Sequence, residues 1–221
     1  MLIQWGNLRR LNPVSDVFGF DRGQPIDRYY IESFLNNRSG DIKGRVLEIG
    51  DPGYTHKYGG SKVVIADVLH AVEGNPQATI IGDLGTGDGI PKNVFDCIIL
   101  TQTLLCIYKV HEAITNTYSA LKPGGVLLAT FPGISQISRY DMDRWGDFWR
   151  FTTLSAKKLF EEVFPSENLG IKAYGNVLVA VAFLHGLAAE ELKQKELDYH
   201  DPDYEVLITV RAVKPDTGEK K

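Results

Sequence analysis

The sequence predicts an α/β fold, a mostly parallel sheet covered by helices, on three observations. From Val46 onward, short apolar segments of strand length alternate with longer segments of helical period, the pattern of a parallel sheet flanked by helices. The first strand runs directly into a glycine-bearing turn, GRVLEIGDPGY over 44–54, and open α/β sheets bind nucleotide-like ligands at such a strand end. Carboxylates then recur where the next two strands are expected to end, at Asp67 and Asp83.

The elements follow in order. Over 25–36, Ile26, Tyr29, Tyr30, Phe34 and Leu35 share one face of a helix, and NNRSG at 36–40 reads as its exit. Strands are expected at 46–49, 62–66, 78–81, 97–100, 126–130, 171–174 and 206–213. Helices are expected at 110–121, 154–164 and 176–197. LKPGG at 121–125 stops the first of these helices and starts the next strand. Thr152 or Thr153 is a plausible cap for the second. The third contains alternating valines that could mimic a strand, but its length and the following AAEELKQKEL favour helix. The tail from Lys214 is polar and expected to fray.

With 221 residues, 43% of them hydrophobic, the chain can bury a full core, and its length suits one large domain. The expected organisation is a lid or capping segment over 1–44, a main domain over 45–214 and a polar tail over 215–221. The net charge of -4, with basic residues scattered apart from Arg9-Arg10 and Lys220-Lys221, argues against a nucleic-acid partner. Cys97 and Cys106 lie in apolar sequence without metal-ligand spacing and read as reduced packing residues of an intracellular protein. The amino terminus lacks a secretory pattern, and the longest apolar run, 177–189, is too short to span a membrane and carries His185 and Gly186. A cytoplasmic protein is expected, with homo-oligomerisation left open.

Taken in order, GRVLEIGDPGY, the segment ending in Asp67, IGDL at 81–84, FDCIIL at 95–100 and LKPGGVLLATFPG at 121–133 resemble the class I S-adenosylmethionine-dependent methyltransferases, over about 44–164. The likeness extends to a branch associated with polysaccharide and glycosyltransferase gene contexts. It implies a Rossmann-like methyltransferase fold, a seven-stranded, mostly parallel sheet whose last strand is antiparallel, with helices on both faces. The implied cofactor is S-adenosylmethionine. Glu48, Gly50, Asp51 and Pro52 would frame its amino-acid part, Asp67 with Val68 would take the ribose, and Asp83-Leu84 would lie by the adenine. Thr101 and Gln102, with Thr103, would close the pocket near the methionine moiety. One departure stands in the glycine turn, where Pro52 and Tyr54 occupy positions at which the family carries alternating glycines.

A sugar hydroxyl is a poor nucleophile until deprotonated, so a general base or a metal would help it. Related methyltransferases often carry histidine where this chain has Cys106, which leaves His111, Asp141 and Asp143 as catalytic candidates. His56 and His185 read as a solvated loop histidine and a core or interface histidine. The run RYDMDRWGDFWRFT at 139–152 combines acids and aromatics in the manner of a carbohydrate site, with Tyr140, Trp145, Trp149 and Arg150 as acceptor-binding candidates. Alternatively, the tryptophans pack that loop onto the sheet. The segment DRGQPIDRYYIE at 21–32 either forms a lid through Arg22, Arg28, Tyr29 and Tyr30 or is an ordinary capping helix, with Asp27 and Glu32 as plain helix charges. No metal-ligand cluster is evident. The expected function is methyl transfer to an oxygen of a sugar or glycan precursor; the alternatives are methylation of another small metabolite and a noncatalytic adenosylmethionine- or nucleotide-binding module. The glycine pattern does not fit a nicotinamide enzyme.

Overall fold

Seven strands make one sheet in the order β3-β2-β1-β4-β5-β7-β6. A computed structural model describes Gly6 and residues 9–216 of the chain. The strands are β1 Gly44–Ile49, β2 Val63–His70, β3 Ile80–Ile81, β4 Phe95–Thr101, β5 Leu121–Pro132, β6 Leu169–Tyr174 and β7 Leu207–Val213. β1 to β5 pair in parallel, and β7 inserts antiparallel between β5 and β6. The helices are α1 Ile26–Asn37, α2 Val110–Ala120, α3 Arg139–Met142, α4 Thr153–Glu161, α5 Val177–Leu184 and α6 Gln194–Asp198.

Both sheet faces are covered, which explains why the central strands are nearly all apolar. Alternate residues point to opposite faces. Leu47, Ile98, Leu127 and Val210 therefore join Ala113, Ile114 and Phe160 of α2 and α4 on one side. Val46, Cys97, Ile99 and Leu128 join Ile31, Leu35 and Phe183 of α1 and α5 on the other. Cys97 is fully buried, and that burial pushes its thiol far above the usual range.

Three expectations about elements are corrected. β2 does not stop at 66 but runs on to His70, because its buried part is Asp67, Val68 and Leu69, whereas Val64 and Ile65 before them are exposed. The third strand is shorter than expected, only Ile80–Ile81. The single helix over 176–197 is broken into α5, a 3-10 turn at Ala189–Glu191 and α6: Asn176 caps α5 by accepting the Val179 N–H at 3.0 Å, and α5 ends before Gly186. Gly186 has φ +68 and lies so close to the Ser15 carbonyl that any Cβ would meet it at 2.3 Å, so neither a helix nor another residue fits there.

Lys214 is anchored rather than frayed. Its ammonium donates to Asn93 Oδ1 and to the carbonyls of Tyr118 and Leu121. Burial lowers its pKa. Residues 217–221 of the expected tail, including Lys220-Lys221, lie outside the described residues, as do 1–5, 7 and 8 of the amino-terminal segment. Among the described residues, no helix is long and apolar enough to cross a membrane.

Candidate functional site: two joined cavities at the strand ends

The carboxyl ends of the parallel strands open into a cavity of about 500 Å³. β1 contributes Ile49 and Gly50, β2 contributes Leu69 and His70, and the turn after β3 contributes Asp83 and Leu84. Thr101, Gln102 and Thr103 follow from the end of β4, and Tyr108, Asp141 and Trp145 form the facing wall. Loops at these ends converge because parallel strands all finish on one rim.

The glycine turn is held by carboxylates rather than by further glycines. Glu48, buried in the sheet, accepts the N–H groups of Tyr54 at 3.1 Å and Thr55 at 2.7 Å. Burial pushes its carboxyl above the usual range despite those bonds. Asp51 accepts the Gly53 N–H at 2.9 Å. Gly50 adopts φ +82, and a Cβ there would meet nothing within 4 Å, so its backbone lies open to whatever occupies the cleft. Beyond β3, Asp83 accepts the Gly85 N–H at 2.6 Å, and Asn116 donates to the Leu84 carbonyl.

A second cavity, of about 550 Å³, lies between residues 16–20, the first turn of α1 and the loop after β5. Asp27 and Arg28 line one side and Tyr140, Asp147 and Arg150 the other. Gln102 and Asp141 line both cavities. Gln102 holds a left-handed backbone, φ +48, and its Oε1 is buried without a hydrogen-bond partner among the described residues. A left-handed backbone costs a residue with a Cβ free energy, and an unmade buried hydrogen bond adds to that cost.

Several sequence-selected residues fall elsewhere. Asp67 lies mid-strand, opposite Leu47, and lines neither cavity. Its buried carboxylate accepts Arg45 Nε at 2.6 Å and the Thr79 hydroxyl at 2.9 Å, while Val68 beside it is core. The residue at the true exit of β2 is His70, whose ring meets Trp145 edge to face at 5.3 Å. Glu48, Asp51 and Pro52 shape the turn without lining a cavity. His111 is exposed and pairs with Glu162 at 3.1 Å, and Asp143 is exposed at the end of α3; neither reaches the cleft. Tyr30 is buried, donating to the Leu197 carbonyl, and Tyr29 donates to Asp198. Both tie α1 to α6 rather than forming a lid. Trp149 donates to the Ile107 carbonyl at 3.1 Å and packs against the core. Trp145 faces the first cavity rather than the second. Cys106 also lines the first cavity, its thiol pushed up to about 12 by burial.

His70, Asp27 and the shared position of Gln102 were missed. The run VVIADVLH carried the signal for His70, since its apolar pattern continues past the aspartate. Among the described residues, no group of three or more His, Cys, Asp or Glu side chains converges in a metal-binding arrangement.

No protein-family model matches the sequence, and no curated protein does. Solved structures are similar in fold. A SAM-dependent methyltransferase from Archaeoglobus fulgidus aligns over 85% of this chain and 94% of its own, at 13% identity and TM-score 0.55. N-methyltransferase NodS from Bradyrhizobium japonicum, solved with S-adenosylhomocysteine, aligns over 92% and 95%, at 16% identity and TM-score 0.53. The fold is the Rossmann-like methyltransferase fold. The [4+2]-cyclase SpnF shares it as well, over 94% of this chain and 89% of its own, at 16% identity and TM-score 0.57. A methyltransferase fold therefore does not by itself fix the reaction, which must be argued from the two cavities.

Proposed function

We propose that the protein is an S-adenosylmethionine-dependent methyltransferase acting on an oxygen of a sugar or glycan precursor in the cytoplasm. The observation that carries this reading is the pair of cavities meeting at Gln102 and Asp141. A transferase needs two adjoining sites, because an in-line displacement requires the nucleophile to approach the methyl from one side while the sulfur leaves on the other.

The first cavity suits the cofactor in size and lining, since pockets for ligands of this class run roughly 300–1,000 Å³ with apolar walls and few polar groups. Gly50 would let the backbone approach the amino-acid part. Leu69, Leu84, His70 and Trp145 would flank the planar base, with Asp83 beside it. When bound, the cofactor supplies an electrophilic methyl on a positively charged sulfur. Asp141 is the one of the three sequence-selected catalytic candidates that reaches the junction, where its negative charge favours a cationic ligand. Gln102, in the wall common to both cavities, would shape the place where acceptor and methyl meet. In the second cavity, the exposed rings of Phe20 and Tyr140 can stack on sugar faces while Arg28, Arg150 and the acids bond hydroxyls.

Calorimetry with S-adenosylmethionine and S-adenosylhomocysteine, followed by mass spectrometry of sugars incubated with labelled cofactor, tests the reading. Binding of both nucleosides and a 14-dalton gain on a sugar oxygen are expected, since a methyl replaces a hydrogen. Absence of nucleoside binding would sink it.

A further inference from the structure

The segment DRGQPIDRYYIE divides into residues with structural partners and one without. Arg22 pairs with Glu191, Tyr29 bonds Asp198, and Tyr30 bonds the Leu197 carbonyl. Gly23 lies where a Cβ would strike Glu190 and Ala188, and Pro25 bridges to Ala188. All of these join α1 to the chain after α5. Arg28 turns the other way and donates to the Tyr54 hydroxyl at 2.6 Å.

Asp27 does neither. Its carboxyl is met by backbone N–H groups alone, that of Arg28 at 2.8 Å on Oδ1 and its own, and no side-chain donor among the described residues bonds it. It lines the second cavity, on the first turn of a rigid helix whose next face is buried in the core. The charged groups sharing that cavity are Arg28 on the same helix, Asp16 before it, and Arg139, Asp141, Asp147 and Arg150 beyond β5. Asp147 is engaged by Arg150 at 2.9 Å and by the Ser138 N–H. Asp27 thus combines a cavity position with an uncommitted oxygen.

We propose that Asp27 is the general base that accepts the proton of the acceptor hydroxyl. This rests on the methyltransferase reading above. As the acceptor oxygen bonds to the methyl carbon, the carbon–sulfur bond breaks with its electron pair left on sulfur. The hydroxyl proton passes to Asp27 Oδ2 and then to solvent, so charge and atoms balance. Burial raises the Asp27 carboxyl above its usual range, while the Arg28 charge and the backbone N–H groups of Arg28 and of Asp27 itself oppose the rise. A more basic carboxylate is the better proton acceptor provided it is ionised at working pH. Because the folded chain binds this proton more tightly, ionised Asp27 costs stability as pH rises through its folded pKa.

The test uses the full chain, tritiated S-adenosylmethionine and a panel of UDP-, GDP- and dTDP-linked sugars. Asp27→Asn should lower kcat at least tenfold, with KM and cofactor Kd within threefold and Tm at pH 7 unchanged or raised. The acid limb of the wild-type kcat/KM profile should vanish in the variant, and Asp27→Glu should recover part of the rate. Wild-type activity with Asp27→Asn equally active, or with a rate lost only in proportion to a fallen Tm, overturns the assignment to Asp27. Cofactor binding without transfer to any of these sugars overturns the sugar-hydroxyl reaction and this base with it.

Discussion

Arg28 on the first helix and Tyr54 in the glycine turn are joined by a hydrogen bond of 2.6 Å, from guanidinium to phenol. The guanidinium also lies 5.8 Å from the Tyr54 ring centre and 6.0 Å from that of Phe20. Tyr54, in the turn whose Gly50 lines the first cavity, is thereby joined to Arg28 in the wall of the second. Tyr54→Phe should keep the ring contact and lose the bond to a cation, at a cost of about 1.5–3 kcal/mol. A denaturant midpoint equal to that of the wild type would show the bond to be idle.

Asp67 offers the clearest separation of stability from binding. Its buried carboxylate holds Arg45 and Thr79, so Asp67→Ala leaves a half-exposed guanidinium and a hydroxyl without their acceptor. Breaking a buried pair typically costs about 3–5 kcal/mol, and the partial exposure of Arg45 places the expectation at or below the lower end. Cofactor affinity of the folded variant should match the wild type. A large loss of affinity with unchanged stability would return Asp67 to the ribose.

These two residues show what the sequence could carry. Apolar period and glycine placement defined β1, β4, β5 and β7, because burial on both faces leaves a continuous hydrophobic run. The same reasoning ended β2 at its first charged residue, since a buried ion pair reads in sequence like an exposed turn. The partners that decide the matter, Arg45 and Thr79, stand twenty-two and twelve residues from Asp67. Asp27 was hidden for the same reason: a first-turn acid is an ordinary helix feature until the other wall of its cavity, formed more than a hundred residues later, is in place.

Trp145 and Trp149, four residues apart, should separate cleanly on substitution. Trp145 meets His70 at the first cavity, whereas Trp149 packs on the core and bonds the Ile107 carbonyl. An aromatic ring stacked on a base contributes roughly 1–3 kcal/mol, and 1.4 kcal/mol is tenfold in affinity. Trp145→Ala should therefore weaken nucleoside binding about tenfold with little change in Tm. Trp149→Ala should lower Tm and leave binding of the folded protein unaltered. Calorimetry beside thermal melts reads both, and the reverse pattern would exchange their roles.

Asp96 sets a pH dependence of the opposite sign to Asp27. Burial pushes its carboxyl up, but the Arg45 N–H at 2.7 Å and the Lys122 ammonium at 2.8 Å outweigh it and hold the pKa below the usual range. A depressed carboxylate contributes stability above its unfolded pKa, about 3.9, and loses it as pH falls through the folded value. Asp96→Asn should melt below the wild type at pH 6, and the gap should narrow below about pH 4. A gap independent of pH would mean that shape, not charge, matters there.

Gln102 is the residue at which stability and function should oppose each other. Its left-handed backbone, φ +48, costs a residue with a Cβ about 1–2 kcal/mol. Its buried Oε1 without a partner adds the desolvation of an unmade hydrogen bond. Gln102→Gly relieves both, against a gain of roughly 0.4–1 kcal/mol in unfolded-state entropy, so its Tm should equal or exceed that of the wild type. Gln102→Ala keeps the strain and should melt below Gln102→Gly. If the side chain orients the acceptor between the two cavities, both variants should transfer methyl at least tenfold more slowly with cofactor affinity nearly intact. A fall in Tm for Gln102→Gly with full activity would instead make Gln102 a structural residue and leave the junction to Asp141.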